Sequence, residues 1–480
     1  MVKERVIMKN KTPSITYALL SLVLVIGTII VSLRLGINTQ TSLFFATIVA
    51  TIVALSLKNE WLVIQKAMVN NVAESLMAIF ILLFVGMLVA VWNVGGTLPS
   101  LIYYGIKFIN PSIIIPLAFL LCCVTSIFTG TSFGSIATMG LVIYGIGTSI
   151  GVSPAILAGS IVSGSCFGDK MSPMSDTTNL ASSMSGVDIY KHIGSMLYTT
   201  LPATVITLVI YTILGLQFDV TAIDSAQIEL MAQTLDATFN ISLITVLPLL
   251  IVLILTAFKV PALIALSLSI VTSMAFAIIT QGASIVDISS ACLSGSSIRT
   301  GLSEIDSILS RGGMTSMIGT IVSICFACAM GGALMVSKVL YVVIDEGLLK
   351  LIKSGKALIL TTMGYCYATS LVTGSQALGI ILPAKTFATS YDKANIDRRV
   401  LSRTLEDTST LISPLIPWSG FTMYVCATLG VGIEYIPYAC LNYIVPVFSI
   451  VCVATGFGIW DSNGNKLGIN DEIKSECWSC

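Results

Sequence analysis

The chain has 480 residues, of which 55% are hydrophobic and 10% charged, with a mean hydropathy of +0.95. A soluble domain carries about 25% charged residues, so the composition excludes an ordinary soluble protein. The 24 basic and 24 acidic residues cancel, which argues against nucleic acid as a partner, because binding phosphates needs an excess of Lys and Arg on one face.

At the start, Lys3, Arg5, Lys9 and Lys11 precede the first apolar run. No small-residue cleavage pattern follows that run, so residues 1–14 read as a cytoplasmic tail before a retained first helix. Crossing ~30 Å of hydrocarbon takes about twenty apolar residues. Such runs occur near 15–33, 41–57, 75–93, 195–216, 241–257, 261–280, 316–336 and 438–458. Two further spans, near 152–180 and 402–430, are broken midway by polar, Gly-rich or Pro-rich sequence. The apolar stretches 112–150 and 357–390 are interrupted by Thr129-Gly130-Thr131-Ser132 and Thr373-Gly374-Ser375-Gln376. Each half of these two looks short for a span, so each stretch reads as a re-entrant hairpin with a polar tip, tolerated only in protein or beside a wet cavity. Residues 459–480 read as a second cytoplasmic tail. The pattern predicts an all-α polytopic membrane protein with about ten transmembrane helices and two re-entrant hairpins between residues 15 and 458.

Loop charges agree with this layout, since Lys and Arg favour the cytoplasmic side. With the N-terminus inside, Lys58, Lys66, Lys191, Lys259, Lys338 to Lys356 and Arg398 to Arg403 fall inside. The acidic 217–240 loop falls outside, and only Arg299 and Arg311 count against the assignment. Thr125–Thr131 reads beside Thr369–Ser375, and each is followed by a Ser-Pro pair, Ser172-Pro173 and Ser413-Pro414. The separations from Thr129 to Ser172 and from Thr373 to Ser413 are 43 and 40 residues. Residues 75–216 and 316–458 are therefore predicted to be inverted repeats, in which matching interrupted segments mark a transporter's binding site.

The densest polar cluster is Gly164 to Asn179, where a helix should cross the bilayer. A charge at the bilayer centre costs at least ~2.5–3.5 kcal/mol, so Asp169, Lys170 and Asp176 there need partners or a purpose. Either they bind ions, or Asp169 pairs with Lys170 or another base and ties helices together, or the segment reaches the cytoplasmic surface. Gly168 and Pro173 free carbonyls that, with Ser and Thr hydroxyls, suit a hard cation such as sodium. Gly164 and Gly168 have the spacing of close helix contacts. In the second cluster, Glu406 to Trp418, Glu406 reads as a solvated, acidic first helical turn. Asp407 stands between that reading and an ion site continued by Thr408 and Ser413. His192, beside Lys191, reads as a surface residue. Twelve cysteines lie mostly in apolar segments and read as packing. The spacings Cys325–Cys328 and Cys477–Cys480 lack a second ligand pair.

At Gly168-Asp169-Lys170-Met171-Ser172-Pro173, followed by Ser175-Asp176-Thr177-Thr178-Asn179-Leu180-Ala181, the sequence resembles the NhaC family of sodium/proton antiporters. Val91-Trp92 with Gly96-Thr97-Leu98-Pro99, the tip Thr129 to Ser132, Arg311-Gly312-Gly313 with Ser316-Met317, and Leu405-Glu406-Asp407 through Pro417-Trp418 carry the likeness across roughly residues 75–445. The resemblance implies two inverted repeats, each with a re-entrant hairpin and a broken helix.

The expected function is secondary exchange of sodium for protons across a bacterial-type cell membrane, with no cofactor. The alternative is a sodium- and proton-coupled organic-acid exchanger of malate/lactate type, or an amino-acid transporter of the same fold. No Ser/His/Asp constellation or histidine-rich metal site points to an enzyme. The proton-coupling candidates are Asp169, Asp176 and Asp407, with Asp169, Ser172 and Asn179 as sodium ligands. Thr129, Thr131, Thr177, Thr178, Thr373, Ser375, Thr408 and Ser413 would complete the cage. Lys170 and Lys385 could hold an organic anion. The expected partners are sodium, protons, the lipid bilayer and, on the alternative, a small organic anion; the sequence leaves a homodimer open.

Overall fold

The computed structural model describes residues 13–466 apart from 109, 218–224, 259, 303, 304, 307, 308, 344–351 and 353. Most of both tails, with Cys477 and Cys480, and the loop residues Asp219, Asp224, Lys259 and Glu304 lie outside the described residues. The principal elements are all helices. In the first half they are α1 (Ile15–Arg34), α2 (Thr39–Ser56), α3 (Trp61–Glu74), α4 (Leu76–Val94), α5 (Thr97–Phe108), α6 (Ile114–Thr129), α7 (Ser132–Ser135), α8 (Leu141–Ser149), α9 (Pro154–Met171), α10 (Asp176–Ser185) and α11 (Ile189–Leu216). Then come α12 (Ser225–Thr238), α13 (Leu247–Ala257), α14 (Ala262–Ile279) and α15 (Ile285–Ser294). The second half has α16 (Met314–Val336), α17 (Gly355–Thr373), α18 (Gln376–Lys393), α19 (Arg398–Leu405), α20 (Gly420–Leu429) and α21 (Cys440–Thr455).

Helix α11 shows how small or hydroxylated side chains face inward and large apolar ones outward. On α11, Leu201, Val205, Val209 and Ile213 are exposed while Thr199, Thr200, Ala203 and Thr207 are buried. Lipid solvates the large side chains, and small or hydroxylated ones let backbones approach each other. Five helices among the described residues are long and apolar enough to cross a membrane, or six if α4 and α5, bent by 69°, form one span. Four segments that read as connections contain helices: α3, α5, α12 and α15. Helix α3 is amphipathic and docks on α16, where a Cβ on Gly332 would lie 2.6 Å from the Ala67 carbonyl oxygen and Asn71 donates to the Cys328 carbonyl at 3.1 Å. Mixed polarity hid it from a hydropathy reading.

Both interrupted stretches are hairpins. The first turns at Gly130 (φ 66) and the second at Gly374 (φ 64), in the left-handed region where a Cβ is strained. Ser135 reaches across the first hairpin to the Cys122 carbonyl at 3.1 Å. The expected shortness of the arms does not hold: Pro111–Thr129 is 19 residues long and apolar enough to span, and the arms of the second hairpin are 19 and 18 residues long. The two broken helices are also present, with α9 and α10 separated at 172–175 and α19 and α20 by a longer irregular stretch. In sequence order, each half runs through a hairpin, a broken helix and a long helix.

Helix α9 lies directly on α6. A Cβ on Gly164 would sit 2.3 Å from the Phe119 carbonyl oxygen, and one on Gly168 would sit 2.5 Å from that of Cys123. Gly164→Val should therefore force the two helices apart at about 1–3 kcal/mol or more, the usual cost of overpacking. Gly194→Ala, with nothing within 4 Å of its Cβ, is expected to melt as the parent does. Thermal melts of both variants in detergent check this, and equal melting of all three proteins would contradict it.

Candidate functional site

Proline creates both breaks. Residues before proline avoid the α conformation, and Ser172 is extended at φ −90, ψ 128, ending α9. Ser175 then starts α10 by accepting the Thr178 amide at 3.4 Å. In the second half the chain runs through a π-turn, Glu406–Thr410, and a 3₁₀ turn, Ser413–Leu415. Ser419 restarts the helix by accepting the Thr422 amide at 3.1 Å. π-Turns are rare inside helices and cluster at functional sites.

Each hairpin tip lies against the break of its own half. A Cβ on Gly130 would meet the Met174 Cβ at 2.8 Å, and Trp418 donates from Nε1 to the Leu371 carbonyl at 2.9 Å. The halves are joined where the breaks meet. Thr177 donates to Glu406 Oε1 at 3.0 Å, Lys170 bonds Asp407, and Tyr424 donates to the Phe133 carbonyl at 2.6 Å.

The result is a buried cluster of three carboxylates and one ammonium. Asp169 is 6% exposed and accepts the Ser132 hydroxyl at 2.8 Å. Lys170 and Asp407 are fully buried, and the second Asp407 oxygen takes the Ser449 hydroxyl. Glu406 is likewise fully enclosed, and its Oε2 has no hydrogen-bond partner. Lys170 thus pairs with Asp407, not with its neighbour Asp169.

The other expected residues fall into two groups. Thr178 sits at the cluster, donating to the Asp169 and Lys170 carbonyls at 3.3 and 3.1 Å, and Thr177 bridges to Glu406. The rest serve local backbone. Ser172 accepts the Met174 amide at 3.3 Å, and Asn179 donates to the Pro173 carbonyl at 3.0 Å. Thr129 donates to the Thr131 carbonyl at 3.2 Å, Thr373 to that of Thr369 at 2.7 Å and Thr408 to that of Thr404 at 2.5 Å. Ser375 caps α18, and the Ser413 carbonyl accepts Ser419 at 2.5 Å. Asp176, Asn179 and Lys385 are exposed. Asp176 occupies the first turn of α10, where a negative charge suits the helix dipole.

Two readings are corrected. Glu406 is no solvated helix start, because the chain continues from α19 into the π-turn with no new N-terminus. His192 is completely buried, with Nδ1 2.9 Å from the Ser402 hydroxyl, because α11 begins three residues earlier and turns this face onto α19. Ser132 and Ser449 were not singled out as ligands. Ser132 stands in the quoted tip motif, while a lone serine in the final apolar run carries no signal. Arg403 is also buried, but it is spent on the Gly458 carbonyl at 2.7 Å and near the Trp460 ring. Among the described residues no group of three or more His, Cys, Asp or Glu side chains could hold a metal ion.

A model of the Na+/H+ antiporter family matches residues 164–457, the segment that contains both breaks. The chain is 36% identical to the Na+/H+ antiporter NhaC of Alkalihalophilus pseudofirmus, with 96% of this chain and 100% of that protein covered. It is 34% identical to the malate-2H+/Na+-lactate antiporter of Bacillus subtilis, covering 90% and 92%. With the arginine/ornithine antiporter ArcD of Halobacterium salinarum it shares 32% identity over 94% of each chain. Near-full coverage by relatives of this kind, and a family match that includes the whole carboxylate cluster, establish that the chain belongs to the NhaC family of Na+/H+ antiporters.

Proposed function

We propose that this antiporter exchanges sodium for protons at Asp169 by competition for one carboxylate. The supporting observation is a buried Asp169 with no ion-pair partner among the described residues, facing a hairpin tip through Ser132. Desolvation disfavours the bare carboxylate, and either a proton or a sodium ion removes that penalty. Occupation by one excludes the other, which is the condition for exchange rather than co-transport. Asp407 is already satisfied by Lys170 and Ser449, so it positions the broken helices against each other. The protein works in the cell membrane with both tails cytoplasmic. Residues 75–216 and 316–458 are inverted repeats that move relative to each other around the breaks. If the exchange carries net charge, each charge moved exploits about 2.3 kcal/mol per 100 mV of membrane potential.

Proteoliposomes holding a pH dye test this reading. Sodium added alone should dissipate an imposed pH gradient.

One observation favours organic-acid exchange as a second reading. A cavity of about 370 Å³ is lined by Arg311, Tyr144, Ser316 and Thr428; Arg311 donates to the Leu429 carbonyl at 2.8 Å, and a guanidinium, with five N–H donors, suits a carboxylate. A gradient that moves only when malate or lactate is supplied would replace the first reading with this one.

A further inference from the structure

We infer that Glu406 and Thr410 form a second site for a monovalent hard cation, sodium, on the half of the chain opposite Asp169. The two residues open and close the π-turn. Glu406 is 0% and Thr410 1% exposed. Glu406 Oε1 is held by Thr177 at 3.0 Å, whereas Glu406 Oε2 and the Thr410 hydroxyl have no hydrogen-bond partner. The Thr410 hydroxyl and the Glu406 carboxyl group are near enough to interact. Two neighbouring buried oxygens, neither of them in a hydrogen bond of normal geometry, are a place for an ion, since buried polar atoms are otherwise satisfied.

Charge counting points the same way. Asp169, Glu406 and Asp407 bring three negative charges, and Lys170 supplies one positive charge, committed to Asp407. Two further ion pairs, Arg398 with Asp392 and Arg399 with Asp397, are outside the cluster. Two negative charges are left at membrane depth, where an uncompensated charge is expensive. A proton on Glu406 would cancel its charge and could be donated to the neighbouring Thr410 hydroxyl, so a proton competes with sodium for this place. A sodium ion cancels the charge and satisfies both oxygens, and hydroxyl and carboxylate oxygens are the donors that hard cations choose. The Thr177 hydroxyl contacts both Glu406 and Ser175, the cap of α10, the latter at 3.0 Å. The total number of ions rests on the Asp169 reading above; the Glu406 site does not.

The test is saturation binding of radioactive sodium to the purified full-length chain in detergent. The parent should bind two ions, and Glu406→Gln and Asp169→Asn one each. Thr410→Val, which keeps every charge, should weaken one of the two ions about tenfold, as expected for the loss of one ligand. Glu406→Gln and Thr410→Val that both bind like the parent would overturn the second site. If Glu406→Gln loses an ion while Asp169→Asn loses none, the second site stands and the Asp169 reading fails; the reverse pattern removes this site alone. Should Glu406→Gln not fold, Thr410→Val decides.

Discussion

Asp169→Asn is expected to stop sodium-driven proton flux in proteoliposomes while leaving the protein folded. Asparagine keeps an oxygen for the 2.8 Å bond from Ser132, and neither side chain ion-pairs in the described structure, so little stability is at stake. What disappears is the charge for which sodium and protons compete. A charge-assisted contact contributes about 1.5–3 kcal/mol, which corresponds to as much as a 100-fold loss of flux. The measurement is the initial rate of dye response after a sodium pulse, with a melting curve of the same preparation. A stable variant that still exchanges at the parental rate would move the coupling group away from Asp169. Ser132→Ala is the milder companion, since it removes one ligand and leaves the charge; its flux should fall less than that of Asp169→Asn.

Lys170→Met should have the largest effect on stability. It leaves Asp407 buried with only the Ser449 hydroxyl. Breaking one side of a buried ion pair costs about 3–5 kcal/mol, enough to unfold many proteins whose whole margin is about 5–15 kcal/mol. Lys170→Met with Asp407→Leu removes both charges and should recover most of the loss, because apolar residues of similar volume often replace a buried pair without penalty. Thermal melts of the single and double variants form the cycle. On the reading that Asp407 is a positioning residue, the double variant should also retain sodium/proton exchange at a reduced rate. A double variant that melts like the parent yet exchanges nothing would make Asp407 a coupling group instead.

Much of the framework could be read from the chain. The interruptions at Thr129-Gly130-Thr131 and Thr373-Gly374-Ser375 are hairpin tips because a glycine at left-handed φ is the least strained way to reverse an apolar helix. Ser172-Pro173 marks the first break and Pro417, three residues past Ser413-Pro414, the second, because the residue before each proline is extended and resists the helix; Ser413-Pro414 itself lies in a 3₁₀ turn. Small residues at 164 and 168 announced the close contact with α6. These signals are local, and each depends on a few adjacent residues.

Glu406 and His192 failed for the opposite reason. Each stands next to basic or polar neighbours, and that setting describes a surface equally well. Their burial comes from residues some 200 positions away: α19 covers His192 through Ser402, and α10 covers Glu406 through Thr177. The partner of Lys170 could not be assigned either, because Asp169 is adjacent in sequence while Asp407 is adjacent in space. Adjacent residues on a helix point about 100° apart, so the nearest charge in the chain is not the nearest charge in the fold.

By itself the sequence therefore determined the solvent, the helical class, the positions of the tips and breaks and the family resemblance, since apolar run length and the backbone preferences of Gly and Pro act within a few residues. Which charges pair and which remain unpaired was decided only by the tertiary structure. Ion pairing depends on distances of a few ångströms between segments far apart in the chain, set here by packing the Ser172–Ser175 break of one half against the π-turn of the other.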